Sequence, residues 1–227
     1  MRRTIVILAN SIMHGGRCIA GKDLNTKEWV RLKSPFEHTG LNGAFSQQDL
    51  LKLCGDKNGP QLLEVWEIAF GEKCPFEHQP ENIKVENVKW AKKVILYNID
   101  DLVDVHDCGW LNSGSPTSKI YRSYFELQKY SSSLAFLFLT YAKNKTTIVY
   151  KQKNGQYHPR LAFSFNEQDF NLPITDMNCP IKNKEVPSQE IQIAHITLGL
   201  GTEFDGAYYK LVVGLIPYNQ TNQTVIL

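Results

Sequence analysis

Short apolar runs separated by polar turns make up most of the chain, and their length is that of β-strands. Residues 4–9 are a β-branched run ended by polar residues, which predicts a strand buried on both faces. Residues 17–24 and 29–33 predict two more strands on either side of a polar turn. The chain is therefore expected to open as a three-stranded meander.

The rest of the first half continues this pattern after one interruption. Residues 49–54 predict a helical turn, and a Gly- and Asn-rich loop then runs to Pro60. Residues 62–70 and 83–90 predict the strands that complete the unit.

The middle of the chain has a different pattern. Residues 97–105 and 121–130 each have a plausible helical face, and the Gly- and Ser-rich stretch 112–116 separates them. This pattern predicts a helical connector.

Strand patterns return from residue 133. Leu161, Phe163 and Phe165 alternate with polar residues, and the alternation resumes with Phe170 after a polar turn, which predicts a hairpin of well-specified register. The second half is thus a second β-unit, and two successive units of similar strand number suggest one fold used twice. We predict domains at 1–95 and 133–227 with the connector at 96–132.

Composition narrows the class of partner and compartment. Lys and Arg number 25 against 23 Asp and Glu, so a net charge of +2 gives no overall attraction for a polyanion, and any basic patch must be local. The apolar run at 5–9 is too short for a signal peptide or a membrane span, so we expect a cytoplasmic protein without a membrane partner and with reduced cysteines.

The segment 10–18 has the most unusual composition, because it places a histidine, two glycines and an arginine between two strands. Gly15 and Gly16 would allow positive φ and turn amides toward an anion, and Arg17 would supply a bidentate partner for a phosphate. Asn10, Ser11 and His14 would add hydrogen-bond donors. The alternative is a tight hairpin in which the glycines only relieve strain.

Trp29 and Arg31 are expected on one face of the third strand, since side chains two residues apart point to the same side. An exposed Trp beside an Arg would stack a base. Trp29 in the core, with the Arg31 stem along the sheet edge, is the alternative.

Signals for metal binding and catalysis are weak. The pairs Cys74/His78 and His106/Cys108 would suit zinc only if they met in space, and neither has the spacing of a zinc ribbon. The acidic residues between Asp100 and Asp107 are read as a solvated face. No nucleophile elbow, phosphate-binding loop or metalloprotease helix is present in the sequence, so we expect no cofactor, no metal and no catalysis.

Several sequence stretches resemble those of the dual OB-containing domain family, and they occur in the same order and with similar spacing. This family is a group of prokaryotic proteins found among genes of defence and conflict systems. The matching stretches are ILANS at 7–11, HGGRCIAG at 14–21, WVR at 29–31, LLEVWEI at 62–68, QPEN at 79–82, LPITD at 172–176, LGLG at 198–201, EF at 203–204 and YKLV at 209–212. The resemblance implies a mainly β protein of two successive OB-like barrels joined by a helical connector. It also implies recognition of nucleic acid or of nucleotide-derived signals.

Three hypotheses about function follow. The first is a non-catalytic module that binds nucleic acid or a nucleotide, with DNA, RNA and small nucleotides left open. Its ligand-binding residues would be Asn10, Ser11, His14, Gly15, Gly16, Arg17, Trp29, Arg31 and, as the weakest candidate, Lys210. The second is a scaffold for a partner protein encoded nearby. The aromatic residues it would use are Trp66, Trp110, Tyr208 and Tyr209. The third is a nucleotide-processing enzyme using His14, Arg17 and Cys18.

Overall fold

The chain folds into two compact units in a computed structural model, and the division falls between Leu102 and Val103. The structure describes residues 1–76, 78–95, 97–104, 110–111, 118–125, 131–139, 146–153, 156–177, 179, 188–190 and 192–218. None of the helices within those ranges is long and apolar enough to cross a membrane.

The first unit contains six strands, one α-helix and one 3₁₀ turn. The strands are β1 (Arg2–Met13), β2 (Gly16–Asp23), β3 (Trp29–Lys33), β4 (Val65–Lys73), β5 (Asn82–Val85) and β6 (Ala91–Lys93), the helix is α1 (Gln47–Cys54), and the 3₁₀ turn is Ile99–Leu102. The predicted meander is confirmed as β1, β2 and β3 in antiparallel order. The predicted helical turn is confirmed as α1, with a capping box between Ser46 and Asp49.

Five of these strands close into a barrel. The pairing order is β1-β2-β3-β5-β4, and β4 pairs back with β1 from Arg2↔Ala69 to Val6↔Val65. β3 and β5 are parallel, whereas the other pairs are antiparallel. A five-stranded Greek-key barrel with a helix between its third and fourth strands is the oligonucleotide/oligosaccharide-binding (OB) fold.

The core of this barrel comes from the alternate residues that face inward. Ile5, Ile19 and Leu32 are buried there, and Phe45 contacts Trp90 edge-to-face with ring centroids 5.7 Å apart. The predicted strand at 83–90 is shorter than expected, since β5 ends at Val85 and Trp90 packs into the core from a loop.

The described residues of the second unit form eight strands and a short helix. The strands are β7 (Lys119–Tyr121), β8 (Leu134–Phe138), β9 (Thr147–Lys153), β10 (Gln156–Phe165), β11 (Gln168–Pro173), β12 (Ser188–Glu190), β13 (Ile193–Leu200) and β14 (Ala207–Pro217), and the helix is α2 (Arg122–Phe125). The predicted hairpin is confirmed as β10 and β11, in which Leu161 pairs with Leu172 and Phe163 with Phe170.

The second unit repeats the pairing order of the first. β9, β10 and β11 form an antiparallel meander, β13 pairs with both β8 and β14, and a parallel bridge joins Ile174 after β11 to Val212 on β14. In this order β8 and β9 together correspond to β1 of the first unit. The strands β10 and β11 correspond to β2 and β3. The strands β13 and β14 correspond to β4 and β5. The OB arrangement is thus used twice along the chain.

The predicted helical connector lies only partly within the described residues, because residues 105 and 126–130 of its two predicted helices fall outside them. Its described part has a four-residue 3₁₀ turn, strand β7 and the four-residue helix α2. Trp110, Leu111 and Ile120 are buried in the second core, and Leu102 is buried in the first unit. Short helical turns and core contacts therefore occur together in the described part of the connector.

Candidate functional site

The turn between β1 and β2 consists of two residues. His14 and Gly15 both have positive φ, 48° and 82°, and Met13 pairs with Gly16 across the turn. Both turn residues are exposed. This is the geometry of a tight type I′ hairpin, in which Asn or His tolerates the first position and Gly takes the second.

The two glycines have different roles. A Cβ on Gly15 would meet no atom within 4 Å, so Gly15 is needed for its φ of 82° alone. Gly16 lacks a positive φ, but a Cβ there would lie 3.1 Å from both Ala44 Cβ and Phe45 O. The expectation of two successive amides turned toward an anion is therefore not met, and Gly16 instead lets the segment that ends at Phe45 approach β2.

The Arg17 backbone also has an internal role. Its N–H donates to Phe45 O at 2.8 Å, and the Phe45 N–H donates back to Arg17 O at 2.9 Å. Any anion bound at this end of β2 must therefore be held by the Arg17 side chain.

The Arg17 side chain is largely buried, and its Nε lacks an acceptor among the described residues. Only 8% of the residue is exposed, and strand alternation places it on the same side of β2 as the core residue Ile19. The Arg17 Nε is buried, and no described residue accepts a hydrogen bond from it. Burial lowers the pKa of Arg17 because it disfavours the charged form. An arginine keeps its charge even so, and none of the ion pairs between described residues includes Arg17.

Asn10 and Ser11 are placed for structure rather than for ligand contact. Asn10 Nδ2 donates to Asn58 O at 3.0 Å and to Pro60 O at 2.9 Å, which fixes the loop after α1 against β1. Ser11 is buried as well. Both side chains are covered by the protein, unlike His14.

Trp29 and Arg31 share one face of β3, as predicted. Val30 and Leu32 point into the core, so Trp29, Arg31 and Lys33 point to the outer face. Trp29 is half-buried, and Lys22 Nζ of the neighbouring strand lies 5.3 Å from its ring centroid.

Arg31 has an acidic partner. Its Nε donates to Glu81 Oε1 at 3.1 Å, and its backbone N–H donates to Glu81 O at 3.0 Å. The ion pair is nearly buried, so part of the charge of Arg31 is compensated within the barrel. Arg17 and Arg31 therefore differ both in the side of the sheet they occupy and in their partners.

The outer face also includes two residues that sequence reasoning missed or judged differently. Lys33 interacts electrostatically with Cys18, Arg31, Cys74 and Glu81, and burial lowers its pKa. The alternation of β3 could have identified Lys33, because it lies two residues beyond Arg31. Burial raises the pKa of the Cys18 thiol although Arg31 and Lys33 oppose this, so Cys18 is a poor nucleophile at neutral pH.

Lys210 lies far from any contact surface. It is fully buried, its Nζ donates to Leu111 O at 2.5 Å, and the ring centroid of Phe170 is 5.9 Å away. The structure therefore encloses this weakest ligand-binding candidate in the second unit, where its ammonium group bonds to the backbone.

The aromatic residues of the scaffold hypothesis are mostly inaccessible. Trp66, Trp110 and Tyr208 are buried, and only Tyr209 is partly exposed. A partner protein could not use the first three without local unfolding.

Of the zinc candidates, Cys74 and His78 lie in the described part of the chain, whereas His106 and Cys108 lie outside it. Within that part, no three His, Cys, Asp or Glu side chains are grouped so that they could hold a metal ion. Asp104 accepts a hydrogen bond from the Phe136 N–H at 2.7 Å, which ties it to β8.

Comparison with solved structures gives very distant similarity. The tetrameric p202 HIN2 structure is 8% identical with a TM-score of 0.31, covering 93% of this chain and 88% of that one. The p204 HINb domain is 9% identical with a TM-score of 0.31, covering 94% and 97%. A murine DNA-binding protein bound to double-stranded DNA is 6% identical with a TM-score of 0.27, covering 94% and 99%. Similarity at this level does not transfer a ligand to this chain.

Family membership rests on the sequence itself. No curated protein matches the chain. The dual OB-containing domain, in contrast, matches residues 3–215, nearly the whole length, and the pairing order of both units agrees with it. The chain therefore belongs to the dual OB-containing domain family.

Proposed function

We propose that the protein is a non-catalytic module that binds nucleic acid or a nucleotide through its first barrel, with Arg17 as the main phosphate contact. The single observation that carries this proposal is the largely buried side chain of Arg17, whose buried Nε has no acceptor among the described residues.

The energetic argument starts from the cost of that burial. Removing an ion from water costs several kcal/mol, and proteins usually offset this with an ion pair or hydrogen bonds. Arg31 and Glu81 show this usual solution in the same barrel. At Arg17 a bound phosphate would supply the missing acceptors, because the guanidinium fork matches two phosphate oxygens.

The location supports the same ligand class. OB barrels bind oligonucleotides and oligosaccharides at strands 2 and 3 and at the loops after strands 1 and 4. Arg17 lies at the start of β2, directly after the exposed His14 and Gly15, and Trp29 and Lys33 lie on the outer face of β3. A phosphate contact at Arg17 would suit a nucleotide better than a neutral sugar.

The wider role is also part of the proposal. The family resemblance implies a function within a prokaryotic defence system. A partner protein encoded nearby would then produce the defence response when the ligand is bound. The module would then act as the recognition component, in the cytoplasm.

The test is fluorescence anisotropy with labelled single- and double-stranded DNA and RNA at about 50 and about 200 mM salt. The wild-type protein is compared with Arg17→Met, which removes the charge but keeps an apolar stem of similar length. Arg2→Met is the matched control, since Arg2 is half-exposed and already pairs with Glu67 at 3.1 Å.

We expect Arg17→Met to weaken binding about tenfold or more and to reduce the slope of log affinity against log salt by about 1. Arg2→Met should change the affinity and the salt slope much less. Equal affinity of Arg17→Met and wild type would refute the phosphate role, and so would wild-type binding that does not respond to salt.

A further inference from the structure

The two barrels have equivalent loops between their fourth and fifth strands. In the first barrel this loop joins β4 to β5, and in the second it joins β13 to β14. Each loop contains one isolated antiparallel bridge, Phe76↔Gln79 in the first and Phe204↔Ala207 in the second. The backbone N–H and C=O groups of each pair bond reciprocally, at 3.3 and 2.8 Å and at 2.9 and 3.3 Å respectively.

A phenylalanine opens both bridges, and both rings face solvent. Phe76 is 54% exposed and Phe204 is 72% exposed. Large apolar side chains are usually buried, and these two are presented on backbone that is held by hydrogen bonds on both sides. The same residue at the same place in two barrels of different sequence indicates a shared use.

The ring of Phe204 belongs to a larger aromatic surface. Its centroid lies 6.4 Å from that of Tyr209, at an interplanar angle of 55°. Tyr209 pairs with Lys119 across β14 and β7, and Lys119 Nζ lies 5.4 Å from the Tyr209 ring centroid. Tyr121 is 65% exposed and shares this outer side of β7 with Lys119, because Ile120 between them is in the core.

Opposite charges balance around this surface. Arg122 pairs with Glu203 at 3.1 Å, and Asp205 lies in the loop beside Lys119 and interacts with it electrostatically. Among the described residues, two cations and two carboxylates give no net attraction for phosphate, so a ligand here would be held by its contact with the rings.

We propose that Phe76 and Phe204 are base-stacking contacts, one on each barrel, and that the ligand of the protein is therefore single-stranded nucleic acid. This inference rests on the proposed function and specifies its ligand. Bases in a duplex are already stacked on one another, whereas a single strand offers free base faces that any exposed aromatic ring can cover.

The experiment measures binding of single-stranded oligonucleotides to Phe204→Leu, Phe204→Trp and Phe76→Leu. Leucine keeps an apolar side chain but has no aromatic face, and tryptophan keeps the face. Leu51→Ala is the control, because Leu51 is a similarly exposed apolar residue on α1. A second ligand is a strand of equal length that lacks bases but keeps every phosphate.

Stacking predicts that each leucine variant weakens binding of the normal strand about fivefold or more, with the salt slope unchanged. Phe204→Trp should bind at least as well as wild type, and Leu51→Ala should bind like it. With the strand that lacks bases, wild type and the leucine variants should bind equally.

Leucine variants that bind the normal strand as well as wild type would overturn the inference, as would a duplex bound more tightly than the single strand. Both results leave the proposed function intact if Arg17→Met still loses its salt-sensitive affinity. Failure of the Arg17 variant to weaken binding would count against the proposed function alone.

Discussion

The two barrels share one pairing order but differ on the outer surface of their second and third strands. In the first barrel this surface carries Lys22, Arg31 and Lys33, which donate to Leu102 O, Glu81 and Asn42 O respectively. In the second barrel the corresponding strands carry Arg160, whose Nε donates to Asn171 Oδ1 at 2.7 Å and whose guanidinium also bonds to Asn171 O. The neighbouring Ser164 donates to Asp169.

The difference shows that the fold fixes positions and the residues decide what binds there. The described polar groups Arg160 and Asn171, and Ser164 and Asp169, bond to one another on the second barrel's face. The first barrel instead leaves the buried Arg17 without an acceptor among the described residues. We therefore expect phosphate recognition in the first barrel and ring contacts in both.

The largest expected effect is the loss of stability when Trp110 is removed from the core of the second barrel. Trp110 is fully buried in its core although it lies well before β8, and its Nε1 donates to Ser132 O at 3.2 Å. Trp110→Ala should lower the free energy of unfolding by about 3–5 kcal/mol, measured by urea denaturation with circular dichroism. Trp29→Ala in the first barrel should cost about 1 kcal/mol or less, because Trp29 is outside the core. Similar losses for both variants would contradict this picture.

A smaller effect is expected at the start of α1 in the first barrel. Asp49 accepts hydrogen bonds from the Ser46 N–H at 2.9 Å and from Ser34 Oγ at 3.0 Å, and His38 Nε2 lies 2.8 Å away. Burial alone would raise the pKa of Asp49, but these hydrogen bonds outweigh it and lower the pKa. Asp49→Asn should therefore cost about 1–2 kcal/mol of stability at neutral pH.

The pH dependence of this loss has a definite sign. A lowered pKa in the folded state gives stability that is present above the unfolded value of about 3.9 and is lost as pH falls through the folded value. The difference between wild type and Asp49→Asn should thus vanish in acid. Asp56→Asn, at an exposed position, is the control and should show a smaller difference. A difference for Asp49→Asn that persists in acid would exclude the charge as its cause.

The smallest expected effect compares the two arginines directly. Arg17→Met removes a charge without a described partner, so stability should rise by about 1 kcal/mol, or about 2–4 °C in Tm. Arg160→Met removes a guanidinium that is bonded to Asn171, so its Tm should fall. A fall in both variants, measured by thermal unfolding, would show that Arg17 stabilises the barrel instead of serving a ligand.

Much of the fold could be predicted from the sequence, because its strands follow simple alternation. The meander of β1 to β3, the helix α1 and the β10–β11 hairpin all appear in the pattern of apolar and polar residues. The connector stays a prediction in part, because Leu102 of its described 3₁₀ turn packs into the first unit and residues 105 and 126–130 lie outside the described part of the chain. Only tertiary packing decides whether such an apolar residue continues a helix or ends a short turn against a core.

The candidate site was harder to predict. The shared face of Trp29 and Arg31 follows from strand period, but the pairing of Arg31 with Glu81 joins residues 50 positions apart. Burial of Arg17 and Lys210 has no local signal, because both residue types are usually exposed. The equivalence of Phe76 and Phe204 becomes visible only after the strands of the two barrels are matched.

The central claim is that the Arg17 guanidinium receives the phosphate of the ligand, and nuclear magnetic resonance of the arginine Nε–H groups tests it most directly. Comparison of wild-type and Arg17→Met spectra assigns the Arg17 signal, and Arg160 serves as the internal reference. On titration with a single-stranded oligonucleotide, the Arg17 signal should shift and saturate at the affinity measured by anisotropy, while the Arg160 signal stays in place. An Arg17 signal that is unchanged when the protein is saturated with ligand would contradict the account.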